Sequence, residues 1–340
     1  MSFNRISRFR LDSGFKPTTH LRSDVEQLVV LLTDNDLGDR RMEVDLLTEL
    51  IPGIEVVSAE CRTESDVLEA VRRYRPHAII SQWVPITREI LEAADRCRVV
   101  SRLGIGLDMI DLSAAHDLGV EVRNVPHYCT EEVATHAVSM ALALWRRLPQ
   151  LDREVRQGHW KAASHAAEID RLSDATVGLI GSGRIGSLVG KAFAAWGTRV
   201  IVHDPATGAD PFPRVDLEEL ATSSDIISLH APLTPATRHL IDAGFLGRTS
   251  RRPILVNTSR GGLVDIEAVT TALTSGALRG AGLDVFEEEP LDPSHPIVDA
   301  PNTILTPHAA WCSEAALPEL RRESVMNVVH VLRQEEEIDE

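Results

Sequence analysis

The stretch Thr176-Val-Gly-Leu-Ile-Gly181-Ser-Gly183-Arg184-Ile185-Gly186 restricts the fold of this chain more than any other. An apolar, β-rich run stops at a glycine, a helical pattern continues through Lys191–Trp196, and a second apolar run ends at Asp204. A strand that enters G-x-G-x-x-G and leaves as a helix is the first turn of a dinucleotide-binding βαβ unit. Its glycines allow the tight turn, close backbone approach to a pyrophosphate, and helix–strand contact. The pyrophosphate then rests on the N–H groups of the helix N-terminus. Asp204 follows Gly186 at the distance where a carboxylate accepts from an adenosine ribose. The same charge repels a 2′-phosphate, and Pro205–Asp210 contains no Lys or Arg, so the expected cofactor is NAD rather than NADP.

Short apolar runs and helical patterns alternate along the rest of the chain, which predicts parallel sheets covered by helices. In the first part the candidate strands are Leu28–Thr33, Ile54–Val57, Ala78–Ser81, Val99–Arg102 and Val120–Asn124, with helices over Arg40–Leu50 and Glu64–Tyr74. A long helix over Glu131–Arg147, with Thr130 as N-cap, separates these from a second series. That series is Thr176–Ile180, Arg199–His203, Ile226–His230, Ile254–Thr258, Gly282–Val285 and Thr303–Thr306, the strand number of a dinucleotide-binding fold. A last helix from Glu314 to about Arg333 follows. The expected organisation is α/β with two doubly wound parallel-sheet domains. A cofactor domain over 125–308 is inserted into a flavodoxin-like domain made of 1–124 and the returning tail 309–340. Residues 1–25 read as a loose arm, and Gln334–Glu340 as a frayed acidic end.

Three segments at strand ends of the second series carry chemistry. They are Val256-Asn-Thr258-Ser259-Arg260-Gly-Gly-Leu-Val-Asp265, Gly282-Leu-Asp284-Val-Phe-Glu-Glu-Glu289-Pro290 and Leu305-Thr-Pro-His308-Ala-Ala310-Trp311. Ligands of open α/β sheets bind at this edge. The segments supply a cation, a carboxylate and an imidazole, the set that hydride reduction of a 2-keto acid needs. A cation holds the acid group and polarises the carbonyl, an imidazole donates the proton, and a carboxylate orients that imidazole and stabilises its charged form. Singly, each has an ordinary reading: Arg260 a surface ion pair, His308 a capped loop residue, Glu289 part of a solvated acidic run. Their joint order behind a dinucleotide fingerprint argues against all three.

From about Arg98 to Arg322 the sequence resembles the D-2-hydroxyacid dehydrogenases through N-T-S-R-G-G-L-V-D, D-V-F-E-x-E-P and T-P-H. The resemblance implies that Arg260 grips the substrate carboxylate, that Glu289 pairs with His308, and that His308 transfers the proton. It implies a cofactor site from Gly181, Gly183, Arg184, Ile185, Gly186, Asp204, His230, Thr258, Ser259, Arg260, Asp284, His308 and Ala310. Ser101-Arg102-Leu-Gly104-Ile105-Gly106-Leu-Asp108 resembles the family's glycine loop, which places Arg102, Gly104, Ile105 and Gly106 beside the substrate. Thr130-Glu-Glu-Val-Ala-Thr-His136 resembles the start of the helix through which the family forms homodimers. The tail Pro307-His-Ala-Ala-Trp311-Cys-Ser-Glu314 is closest to the C-terminal binding protein branch, relatives of phosphoglycerate dehydrogenase, where the Trp lines the pocket. Trp83, after a first-series strand, is a second candidate pocket aromatic. Three functions stay open: dehydrogenation of a small 2-hydroxy acid, an NAD(H)-sensing corepressor-like role, or the same chemistry on a phosphonate or phosphite.

Composition narrows the setting. A formal charge of −16 over 340 residues argues against a nucleic-acid surface and requires that any anionic substrate be caught by a few local arginines or backbone N–H groups. Cys61, Cys97, Cys129 and Cys312 are scattered with no metal-ligand spacing, so reduced thiols and no metal site are expected. The polar, basic start and the lack of any long apolar run predict a cytoplasmic chain with no membrane contact.

Overall fold

The computed structural model describes residues 27–34, 36–206 and 211–334; the expected N-terminal arm and acidic end lie outside them. The first sheet contains β1 (Val29–Leu32), β2 (Glu55–Ser58), β3 (Ala78–Ser81), β4 (Val99–Arg102) and β5 (Glu121–Arg123), all parallel, in the order β2-β1-β3-β4-β5. This is the flavodoxin-like order. Helices α1 (Arg41–Leu50), α2 (Glu64–Tyr74), α3 (Arg88–Ala93) and α4 (Leu112–Asp117) connect its strands. Central strands β1 and β3 are buried at every residue, as a sheet covered on both faces requires. Thr63 starts α2 with a reciprocal capping box to Asp66.

The chain then forms α5 (Thr130–Trp145) and α6 (Leu148–Arg156) and enters the second sheet. Its strands are β6 (Thr176–Ile180), β7 (Arg199–His203), β8 (Ile226–Leu229), β9 (Ile254–Asn257), β10 (Gly280–Leu283) and β11 (Thr303–Leu305), joined by α7 (Arg184–Ala195), α8 (Leu217–Ser223), α9 (Ala243–Leu246) and α10 (Ile266–Ser275). The order is β11-β10-β9-β8-β6-β7, all parallel. An isolated bridge between Val202 and Arg214 extends it beyond β7, through Val202 N–H to Pro213 O and Val215 N–H to Val202 O, both 2.9 Å. Counting that bridge as a strand, the order is the 3-2-1-4-5-6 of a Rossmann sheet with one strand added. Pro211 and Pro213 have no N–H to donate, which leaves a bridge where a full strand would otherwise form.

The final helix α11 (Ala316–Gln334) does not remain with the second sheet. It packs on α1, β3 and β4, and its Val325, Val328, Val329 and Leu332 join the core that contains Val30 and Ile80. Arg321 Nη2 pairs with the buried Glu43 Oε2 of α1 at 2.5 Å. Helix α5 lies on the second sheet instead, burying Ala137, Met140, Ala141 and Leu144 against Val177, Ile254 and Val256. The chain is therefore two parallel-sheet α/β layers, the second inserted into the first.

Two expectations need correction. Thr130 is not the N-cap of α5: Cys129 is, and Thr130 Oγ1 donates to His127 O at 3.1 Å. The helix also stops at Trp145, because Arg147 adopts φ 56° and redirects the chain into α6. Among the described residues no helix is long and apolar enough to cross a membrane.

Candidate active site

The glycine turn after β6 has the shape of a cradle. Gly181 has φ 92°, and a Cβ there would lie 2.7 Å from the backbone carbonyl of His230. Only glycine permits both the angle and the approach. A Cβ on Gly183 would project into open space with nothing within 4 Å, and Gly183 is the residue that starts α7. Two polar atoms near this edge are shut off from solvent and lack a hydrogen-bond partner among the described residues, His230 Nδ1 and Thr258 Oγ1. The cradle, the open N-terminus and the orphaned polar atoms fit a dinucleotide. Burial pushes the His230 imidazole down to about 4, so it is neutral at pH 7, and its Nε2 is 2.9 Å from Ser228 Oγ.

Asp204 ends β7's approach to this turn. Its Oδ2 accepts from Ser182 N at 2.8 Å and from Ser182 Oγ at 3.2 Å, and Oδ1 accepts from Ala206 N at 2.8 Å. Burial opposes its ionisation, but those bonds and the nearby Arg214 outweigh that and hold its carboxyl below the usual range. Arg214 lies beyond the window searched for basic residues, yet it donates to Asp204 O at 3.0 Å and also reaches Ala206 O. The Asp204→Ala variant should therefore lose NADH preference strongly. The ratio of kcat/KM for NADH over NADPH should fall roughly tenfold or more, the size of one charge-assisted hydrogen bond plus a relieved repulsion. An unchanged ratio would show that Asp204 does not read the ribose.

The catalytic candidates sit at the ends of three adjacent strands. Arg260 follows β9, Glu289 lies on the loop after β10, and His308 follows β11. His308 Nδ1 is 2.8 Å from Glu289 Oε2, and Glu289 Oε1 accepts from Phe286 N at 2.9 Å. Burial raises the Glu289 carboxyl, but the His308 bond, its charge, the Phe286 N–H and Arg260 prevail, so Glu289 ionises below the usual range. His308 itself has φ 53°, a conformation disfavoured for a residue with a Cβ. The structure shows what holds it there. Asp284, 1% exposed, accepts from Ala309 N at 2.8 Å and Ala310 N at 2.9 Å, and from Thr306 Oγ1 at 2.5 Å. The carboxylate of Asp284 thus turns onto the histidine loop, and Thr306 passes the contact on to His136 of α5 at 3.1 Å.

Across the gap, the loop after β4 faces Arg260. Arg260 Nε donates to Asp108 Oδ1 at 2.9 Å and Nη1 to Ser259 O at 2.8 Å. The remaining Nη2 occupies the space a Cβ on Gly106 would need, so glycine is required there for the arginine to reach the loop. Arg102 lies beside it with Nε buried and, among the described residues, without a hydrogen-bond partner. Burial and the like charge of Arg260 push Arg102 down to about 10, still charged at neutral pH. Ile105 O is fixed by Asn124 Nδ2 at 2.6 Å. Trp311 is half-buried and packs on Tyr128, ring centroids 6.4 Å apart, and Tyr128 lies within electrostatic reach of both arginines. Trp83 is 41% exposed after β3, its backbone N–H held by Asp34 Oδ2 at 2.6 Å. The sequence reading did not single out Asp108, Tyr128 or Asp34. Asp108 stood inside the quoted glycine loop, while nothing in the sequence marked the other two.

Asp108 is also held below the usual carboxylate range, burial being outweighed by Arg260 and Arg102. A carboxylate with a lowered folded pKa contributes stability above its unfolded value near ~4 and loses it as pH falls through the lowered value. Melting temperature should therefore drop more steeply below pH ~4 in the native chain than in Asp108→Asn. Parallel curves would show that the inter-domain pair adds no stability.

The pattern of the D-isomer specific 2-hydroxyacid dehydrogenase NAD binding domain matches residues 138–310. A glyoxylate reductase of Korarchaeum cryptofilum is 39% identical over 259 residues, 74% of this chain and 78% of that protein. One of Aeropyrum pernix is 40% identical over 232 residues, 65% and 69% of the two chains. The crystal structure of D-lactate dehydrogenase from Aquifex aeolicus, complexed with NAD and lactic acid, superposes with a TM-score of 0.81 at 28% identity. That match covers 91% of this chain and 96% of that one. Likeness of this extent, running through the cofactor sheet and into the histidine loop, places the chain in the D-isomer-specific 2-hydroxyacid dehydrogenase family of NAD-dependent oxidoreductases.

Proposed function

We propose that this chain reduces a small 2-keto acid of glyoxylate or pyruvate size, with His308 as proton donor, Arg260 as carboxylate clamp and Glu289 as the residue that orients His308. The observation that carries the proposal is the 2.8 Å His308–Glu289 pair one strand away from Arg260. Bound NADH supplies the hydride. The protein's own part is positional and electrostatic. With Nδ1 engaged by Glu289, Nε2 is the nitrogen left for the substrate oxygen, and Glu289, ionised below the usual carboxylate range, fixes the orientation of the ring. Arg260 Nη2, Arg102 and the backbone of Gly104–Gly106 form the anion-receiving wall. Positive charge concentrated there overcomes the repulsion of a −16 chain at short range.

The names of the relatives support glyoxylate as the first substrate to try. The sensor reading rests on the Pro307–Trp311 tail, and the phosphonate reading on the arginine pair alone. NADH oxidation against glyoxylate, pyruvate, longer 2-keto acids and 2-keto phosphonates, together with NAD+ reduction by phosphite, decides among them. Turnover of a 2-keto acid is the expected result, and no turnover of any would leave the sensor reading.

We further propose residues 1–124 and 309–340 as the substrate domain and 125–308 as the cofactor domain, supported by the packing of α11 on α1 and of α5 on the second sheet. A homodimer is proposed through α5 and its continuation, where Leu148, Val155 and Trp160 are exposed, Trp160 at 85%; sedimentation at micromolar concentration tests it. Free cysteines, three of them buried, suit the cytoplasm as its setting.

A further inference from the structure

The active site lies at the C-terminal ends of β9, β10 and β11. The opposite, N-terminal ends of the same three strands border a second cavity of about 420 Å³. Five arginines line it: Arg251 and Arg252 before β9, Arg279 before β10, and Arg147 and Arg153 from the α5–α6 corner. Two carboxylates share the lining, Glu168 paired with Arg147 and Asp170 paired with Arg279, so the arginines outnumber the acids five to two. In a chain whose acids outnumber its bases, 51 to 35, such a concentration of positive charge is opposite to the overall balance.

Backbone geometry marks the same place independently. Six non-glycine residues among those described have positive φ, and three of them line this cavity: Arg147 at 56°, Arg252 at 50° and Asn302 at 56°. His308 is another of the six. A left-handed backbone is unfavourable for a side chain with a Cβ, and such residues gather where geometry serves a ligand. Arg252 is held in place by its Nε, which donates to Gly276 O at 2.7 Å, and Arg251 by its Nε to Asp225 Oδ1 at 2.8 Å. Among the described residues the hydrogen bonds of both run through Nε alone, which leaves the guanidinium forks for something else. Arg279 is rigidly anchored over the Trp145 ring, 4.6 Å from its centroid, with Asp170 at 2.7 Å.

From this juxtaposition we propose that the cavity is a binding site for a small multivalent anion, one that carries two or more phosphate or carboxylate groups. Its volume is within the ~300–1,000 Å³ of small-molecule sites. Planar guanidinium forks match phosphate and carboxylate oxygens in pairs, and several forks on one cavity select for more than one anionic group. The site is separate from the catalytic edge by the length of the strands, about 13 Å for four residues. It therefore stands whether or not the substrate assigned above is correct.

Isothermal titration of the full chain tests the proposal, with NADH and oxamate present to fill the cofactor and substrate sites. Inorganic pyrophosphate and citrate are titrated at fixed ionic strength, with inorganic phosphate as the monomeric control. Saturable binding of one ligand per chain is expected, at least about tenfold tighter than phosphate. Tighter pyrophosphate identifies a phosphate-bearing ligand, and tighter citrate a polycarboxylate. Arg252→Gly should weaken binding at least about tenfold while leaving melting temperature equal or higher, because glycine adopts the left-handed angle without strain. Arg153→Gln, on the face of α6 that lines the cavity, should weaken binding while melting temperature and sedimentation stay native. Failure of both anions to saturate, phosphate binding as tightly as either, or full affinity in both variants would overturn the proposal.

Discussion

Replacing His308 by Gln should lower turnover by about 10²–10⁴-fold, the range typical of a lost general acid. NADH affinity, read by fluorescence titration, should remain close to native, because the glycine turn and Asp204 are on other strands. Glutamine retains a hydrogen bond to Glu289 but has no proton to give at neutral pH. The pH dependence of 2-keto acid reduction should flatten along with the loss. Glu289→Gln should be milder: the ring keeps a partner at Nδ1, but the carboxylate that orients it is gone. Turnover should fall less than in His308→Gln. Near-native turnover and an unmoved pH profile in His308→Gln would make the histidine structural.

Arg260→Ala should damage KM and kcat together. In the proposed role the cation serves the bound acid and also the negative charge that develops on the substrate oxygen, so both ground and transition states would lose it. A drop of about 10²–10³-fold or more in kcat/KM is expected, the scale of removing one such preorganised donor. Arg260→Lys should recover little, since a point charge does not reproduce a fork that binds Asp108 through Nε and Ser259 O through Nη1. If only KM rose, the arginine would be a binding group and the catalytic polarisation would come from elsewhere, Arg102 being the nearest cation.

Strands with β-branched runs were legible to the residue. Ala78–Ser81, Val99–Arg102, Thr176–Ile180 and Arg199–His203 form over the expected spans. The strand expected at Gly282–Val285 instead forms at Gly280–Leu283, where glycines admit α5: a Cβ on Gly282 would stand 3.0 Å from Met140 Cβ. Apolar periodicity cannot register a requirement for missing side chains. The Arg214 bridge was hidden for a related reason, since prolines on either side of Phe212 erase a strand pattern that tertiary pairing still uses. At the site, the motifs named the charged residues and ring, but not the parts that hold them. Asp34 holds the backbone of Gln82 and Val84, 48 and 50 residues away, and Asp108 pairs with an arginine 152 residues away, beyond the reach of local spacing.

The Asp108–Arg260 pair also has a meaning for selectivity. Before substrate arrives, the cation already has a resident carboxylate supplied by the other domain. An incoming acid must therefore compete with a partner that is tethered and always present, at an effective concentration no dissolved salt approaches. Chloride or acetate, each offering one weak interaction, should seldom displace it. In the proposed binding mode a 2-keto acid brings a carboxylate and a carbonyl to the same fork and to the Gly104–Gly106 loop at once. The built-in competitor works as a threshold that lets a strongly acidic protein keep an open arginine cleft without being inhibited by the ordinary anions around it.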